Sequence, residues 1–255
     1  MSNAYDKELC SIAKTIRDAS DGGDWGNYEI GMPITEISNE FHTEYNLDMD
    51  LWVAISRLEL NEEELSDQEE DTLISAFVYS CNVISDLGIN PNQAIWEKFY
   101  INQNTHAIPI SLAMYEINKQ VGLGGGYEEG IFEKESKLLR ASSMSLELRE
   151  KAYRDAKKFV KKARFPIGLE NIGIIQLVFR DWLVRTGKTF SPSEMKELLI
   201  GEVWELIETE RSRYSSEDII QKRVYEACDV MIYIMHMFTI YGKNMGEVLD
   251  ISKGL

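Results

Sequence analysis

The chain has 255 residues, 44% hydrophobic and 27% charged, the balance of a globular protein long enough to bury a sizeable core. Its formal net charge of −16 argues against binding a nucleic-acid polymer, because the phosphate backbone would be repelled, although a nucleotide stays admissible where Mg²⁺ neutralises both sides. No apolar run approaches the roughly 20 residues that span a bilayer, the first residues lack the apolar core of a signal peptide, and Cys10, Cys81 and Cys228 form neither a metal-ligand pattern nor a disulfide framework. The expectation is a cytoplasmic protein with no membrane association.

Apolar residues recur at three and four nearly throughout, Pro is scarce and β-branched alternation is weak, so the expected fold class is all-α. In chain order, a Glu-rich helix is expected from Trp52 to Leu65, then a long apolar helix from Asp71 to Leu87. Gly88-Ile-Asn-Pro follows, with a helix-ending Gly and an Asn cap for the next helix. The Gly-rich stretch 122–130 is the clearest break. It is no phosphate loop, since it lacks the Gly-Lys-Ser/Thr ending and a preceding strand. A basic run from Arg149 to Arg164 reads as a solvated helix face balancing the acidic segments. Arg164-Phe-Pro-Ile-Gly168 is the second break. Beyond it, a helix is expected from Asn171 to Arg185, closed by Gly187. Ser191-Pro-Ser-Glu194 is a capping box with Pro at the first helical position, opening a helix to Arg211. Ser215-Ser-Glu-Asp218 opens the next, which runs to Tyr241 and stops at Gly242 before a short Asn244-capped helix.

These signals divide the chain into an amino-terminal helical unit (1–121), a Gly-rich and basic connecting segment (122–168) and a carboxy-terminal helical unit (169–255). Short connections predict that the last four helices pack as an antiparallel bundle. The first unit echoes the last: Gly88 to Ile95 aligns with Gly242 to Leu249, each following a long apolar helix that follows a Glu-rich one. The reading is a degenerate tandem duplication of a four-helix unit.

Two acidic pairs carry the chemistry. Glu202-Val-Trp-Glu205 and Glu226-Ala-Cys-Asp229 each set two carboxylates at i and i+3, on one helix face. Packed antiparallel, the two helices would bring four like charges to one patch, among Val203, Leu206, Ile207, Val230, Met231 and Ile232. Such a patch calls for a cation, and oxygen ligands without His or Cys suit Mg²⁺ or Mn²⁺. A solvated Glu-rich helix face is the plain alternative, and two pairs embedded in apolar sequence weigh against it. His236, seven residues beyond Asp229, and Lys243, Lys253 and Trp182 are candidate contacts to phosphate or base. Each has a plainer reading: a buried core histidine, surface lysines, and, for Trp182 as for Phe179 and Trp204, core aromatics at helical spacing.

Gly-Glu-Val-Trp-Glu205, followed about twenty residues later by Tyr-Glu-Ala-Cys-Asp229, resembles the ExxE…ExxD signature of MazG-like pyrophosphohydrolases. That all-α superfamily of NTP pyrophosphatases includes dimeric dUTPases, dCTP pyrophosphatases and phosphoribosyl-ATP pyrophosphohydrolases. The resemblance covers Ile172 to Lys253 and departs at Gly201, where many members carry a further Glu. It implies that Glu202, Glu205, Glu226 and Asp229 are the metal ligands and catalytic carboxylates. It further implies Mg²⁺-dependent hydrolysis of a nucleoside or deoxynucleoside triphosphate to the monophosphate and pyrophosphate, for nucleotide-pool housekeeping. In the first unit, Thr72 and Ser75 stand where Glu226 and Asp229 do, so that copy reads as catalytically dead, in the place of a dimer partner. A fused pseudo-dimer is compatible with a monomer, and the exposed faces of the middle segment with a homodimer. The alternative function is a catalytically inactive helical protein that binds a nucleotide or a protein partner.

Overall fold

The computed structural model describes residues 31–41, 43–105, 171–176, 179–180, 190–211 and 217–252, with Lys151 and Arg154. These residues are mostly helical and contain no strand, in agreement with the all-α expectation. Helices bounded among the described residues are α1 (Ile34–Glu40), α2 (Asp48–Ser56), α3 (Asp67–Asp86), α4 (Pro91–Thr105), α5 (Pro192–Arg211), α6 (Glu217–Ile240) and α7 (Met245–Ser252), and residues 172–176 and 179–180 are helical as well. No single one among them is long and apolar enough to cross a membrane.

The chain forms two compact units. One comprises Met1–Tyr28, Trp96–Leu169 and Arg180–Lys188. Within it, Trp96 and Phe99 are buried and meet edge to face at 5.9 Å. The other comprises Glu29–Ile95, Glu170–Phe179 and Thr189–Leu255. Residues 29–95, from the expected first unit, thus share a compact body with the carboxy-terminal helices.

In this second unit α6 is the axis. Its apolar residues run almost all round, and from Val224 to Phe238 nearly every residue is buried, as expected of a helix enclosed by others. It packs against α5 and α3; α2 lies on α5 and α3, and α1 on α3. α5 turns Met195, Leu199, Val203, Leu206 and Ile207 inward, and α3 turns Leu73, Phe77, Cys81 and Ile84 inward. Cys81 and Cys228 are buried free thiols.

The helix ends follow the local chemistry. At α5 the Ser191 hydroxyl accepts from the Glu194 amide at 3.2 Å and the Glu194 carboxylate accepts from the Ser191 amide at 2.8 Å, the reciprocal capping box. Gly88 and Gly242 end α3 and α6 with φ of 73° and 67°. The residue after each glycine donates back to the helix: Ile89 N to Ile84 O at 3.3 Å, and Lys243 N to Phe238 O at 2.9 Å. Buried Gln176 ties the end of α6 to the start of α7, donating to the Lys243 carbonyl at 2.9 Å and accepting from the Met245 amide at 2.8 Å.

The Glu-rich helix expected over 52–65 is corrected. α2 begins at Asp48 and stops at Ser56, and residues 58–66 are irregular. Glu59, Glu62, Glu63 and Glu64 would stack like charges on successive turns. Asn61 instead offers its side-chain oxygen to the amides of Glu63 and Glu64, both at 2.8 Å, a local acceptor that competes with the helix. Buried Leu58 and Leu65 anchor the loop, the Lys196 ammonium donates to the Leu58 carbonyl, and the Tyr241 hydroxyl donates to the Asn61 carbonyl at 2.6 Å. The next helix also starts earlier than expected, at Asp67, because Ser66 and Glu69 form a second capping box.

Residues 31–33 are held against the segment at 171. Ile172 N donates to Met32 O at 3.0 Å and the Asn171 side-chain amide to Gly31 O at 2.6 Å. Gly31 has φ of 66°, and a Cβ there would lie 2.5 Å from the Gly246 Cα. Gly88 shares the left-handed backbone with open space around it. Gly88→Ala should therefore cost about 1–2 kcal/mol, the backbone penalty alone. Gly31→Ala should cost clearly more in urea denaturation, because the backbone of α7 must move; equal costs would show that the close approach is relieved without loss.

Candidate metal centre

α5 and α6 pack along each other, and the two acidic pairs lie on them. Glu202 and Glu205 stand at i and i+3 on α5, on the flank of the stripe formed by Val203, Leu206 and Ile207. Glu226 lies on α6, among buried Val224, Tyr225, Ala227 and Cys228. Side-chain oxygens of Glu202, Glu205 and Glu226 all lie within 4.8 Å of one another. Glu205 is exposed, Glu202 partly exposed and Glu226 buried, so the group reaches from the surface to the buried side of α6.

Asp229, one turn beyond Glu226, is buried to the same degree, 8% exposed, and lies outside this group of three. The structure thus brings three of the four sequence-expected carboxylates together. The donor set suits a hard divalent cation: three carboxylates from two helices, with no thiol or imidazole in the group. A divalent cation would offset the like charges that this spacing brings together. Glu202, Glu205 and Glu226 would be the residues that hold such a cation, which would supply charge neutralisation there.

The candidate substrate contacts fall in different places. His236 is 1% exposed, set edge-on to Phe179 at 6.0 Å and to Tyr233 at 6.2 Å, in an aromatic layer of the core. Burial pushes its imidazole down to about 3, so it is neutral at pH 7. Lys243 forms an ion pair with Glu70 of α3. Trp182 and Lys253 lie outside the described residues. Phe179 is core as expected, whereas Trp204 is 39% exposed and stands edge-on to Trp52 of α2 at 6.3 Å. On the α5 helix it projects to the flank away from Glu202.

Two features went unread in the sequence. The first is Asp48, at the start of α2, a fully buried carboxylate. The Arg223 guanidinium of α6 donates to both its oxygens, at 2.7 and 3.0 Å, and the Tyr79 hydroxyl of α3 donates at 2.6 Å. Arg223 also reaches the Leu206 carbonyl and the Thr209 hydroxyl of α5, at 3.4 and 3.3 Å. Burial alone would lower the Arg223 guanidinium, but the hydrogen bonds and charge of Asp48 outweigh it and hold it above its ordinary value. Burial and the Asp48 carboxylate together push the Tyr79 phenol far up. The second is an open cleft of about 620 Å³, lined among others by Tyr45, Arg57, Glu59, Asn61, Glu69 and Thr72. Thr72 lines this cleft. Beside it, burial and then the carboxylates of Glu69 and Glu62 push the Tyr241 phenol up to about 12.

A folded-state value of about 3 for His236, against about 6.5 in the unfolded chain, sets a sign. The unfolded state takes up the proton first, so the stability from neutral His236 is complete above about pH 6.5 and is lost as pH falls toward 3. Between pH 6 and 4 the unfolding free energy of the wild type should fall more steeply than that of His236→Leu, by about 1.4 kcal/mol per pH unit at most. Parallel profiles would place a solvated imidazole at this position.

No protein-family model matches this chain, and neither a curated protein nor a solved structure matches it.

Proposed function

We propose that the protein is a Mg²⁺-dependent nucleoside triphosphate pyrophosphohydrolase whose site is the carboxylate cluster between α5 and α6. The observation that carries this reading is the convergence of Glu202, Glu205 and Glu226 within 4.8 Å, from two helices whose paired spacing resembles the ExxE…ExxD signature. Buried Glu226 gives the cluster a fixed negative base, and exposed Glu205 gives it a side open to a soluble ligand.

When bound, Mg²⁺ supplies charge neutralisation and polarisation of the phosphoryl oxygens. The chain's own part is to hold three carboxylates on rigid helices, so that little reorganisation is needed as charge develops. Glu205, the most exposed of the three, would orient the attacking water and accept its proton as the α-phosphorus is attacked. Pyrophosphate leaves, and the other product is the nucleoside monophosphate. Asp229 extends the acidic stripe one turn along α6 and would draw in when the cation binds.

The reading of a tandem duplication draws support from which helices meet. α3 packs on α6, so the two long apolar helices that the reading matches touch each other, as equivalent elements do across a twofold axis. The glycine caps after α3 and α6 make the same pair of backbone bonds. The first half then stands where a dimer partner would, with its own carboxylates replaced by Thr72 and Ser75.

Pyrophosphate release from a panel of NTPs and dNTPs tests the function. We expect release that requires Mg²⁺ and falls at least about 100-fold in Glu205→Gln, the order of loss when a general base is removed. Because Glu205 is exposed, that variant should melt within a few degrees of the wild type. No turnover of any nucleotide, with no rise in melting temperature on adding Mg²⁺, would move the assignment to a catalytically inactive helical binding protein.

A further inference from the structure

Arg223 precedes Glu226 by three residues on α6, so the two side chains share a helix face one turn apart. On α5, Leu206 and Thr209, whose oxygens accept from Arg223, lie one and four residues beyond Glu205. The guanidinium therefore bridges α5 and α6 one turn from the point where the three carboxylates gather. Its two bonds to Asp48 fix its plane, and Asp48 is in turn fixed by Tyr79. Four helices are joined through one buried carboxylate, and none of these four side chains belongs to the acidic signature.

The three carboxylates come from two helices, so their mutual spacing depends on how α5 and α6 are held together. A cross-brace one turn away fixes that spacing and keeps the ligands near the one a cation requires. A guanidinium held by two charge-assisted bonds to one buried carboxylate has little freedom, which suits it to the task. We propose that Asp48, acting through Arg223, is a positioning residue that preorganises the carboxylate cluster for a divalent cation. The inference rests on the metal-site reading above and adds that residues of the first half of the chain set its affinity.

The test is Mn²⁺ binding by the full-length chain, measured by titration calorimetry well below the melting temperature, with folding monitored by circular dichroism. Asp48→Asn keeps the shape and removes the charge that holds Arg223. Tyr79→Phe removes one hydroxyl and leaves the ion pair, so it reports even where the Asp48 variant fails to fold. Glu205→Gln is the control that should lose binding with its melting temperature nearly unchanged. Asp48→Asn should bind Mn²⁺ about 10- to 100-fold more weakly, the usual effect of removing a group behind the ligands. Tyr79→Phe should bind severalfold more weakly, and both should stay helical at the measuring temperature. A purely structural role would lower the melting temperatures and leave the Mn²⁺ affinity of the folded variants at the wild-type value, and that result overturns the inference while leaving the metal site standing. Failure of the wild type to bind Mn²⁺ overturns both.

Discussion

A carboxylate with no solvent exposure has to be neutralised and hydrogen-bonded by the protein, because the cost of removing it from water is far larger than the stability of a domain. Asp48 meets that requirement through Arg223, 175 residues away in the chain, and through Tyr79. The bond set draws in the Leu206 carbonyl and the Thr209 hydroxyl, so α2, α3, α5 and α6 each contribute a group. Apolar packing supplies the bulk of the cohesion in this unit, but it is non-directional. The Asp48 cluster is directional, and it specifies which turn of each helix faces which.

Around Asp48, one carboxylate faces a guanidinium and a phenol; at Glu226, three carboxylates from two helices lie within 4.8 Å of one another, one of them buried. Lys243 and Lys196 are engaged with Glu70 and the Leu58 carbonyl, so these two cations, near in sequence to the acidic helices, serve instead to fasten the loop and helix of the first half.

Much of the architecture is legible in local sequence. The Ser191–Glu194 box, the glycines after α3 and α6, and the apolar stripes of α5 and α6 act over one or two turns, so their signals survive without tertiary context. The same holds for the acidic pairs, since i and i+3 share a face in any helix. The loop at 58–66 was less legible, because apolar spacing from Trp52 to Leu65 is compatible with a helix and the decision lay in a short-range contest. Asn61 and four glutamates tipped that contest, and Tyr241 and Lys196 from the far end of the chain then fixed the outcome. Asp48 was silent in the sequence, since an aspartate opening a helix ordinarily serves as a solvated first-turn charge.

The sequence by itself determined the helical class, most helix ends, and which carboxylates share a face on α5 and on α6. Only the tertiary structure decided that Glu226 joins Glu202 and Glu205 while Asp229 lies apart. The tertiary structure alone also decided that His236 is enclosed by aromatic rings, that Lys243 is tied to Glu70, and that Asp48 meets Arg223. The reason is one of range. Backbone hydrogen bonding and side-chain spacing repeat every few residues and are written locally, whereas distances between helices depend on how whole faces interlock, which no local window contains.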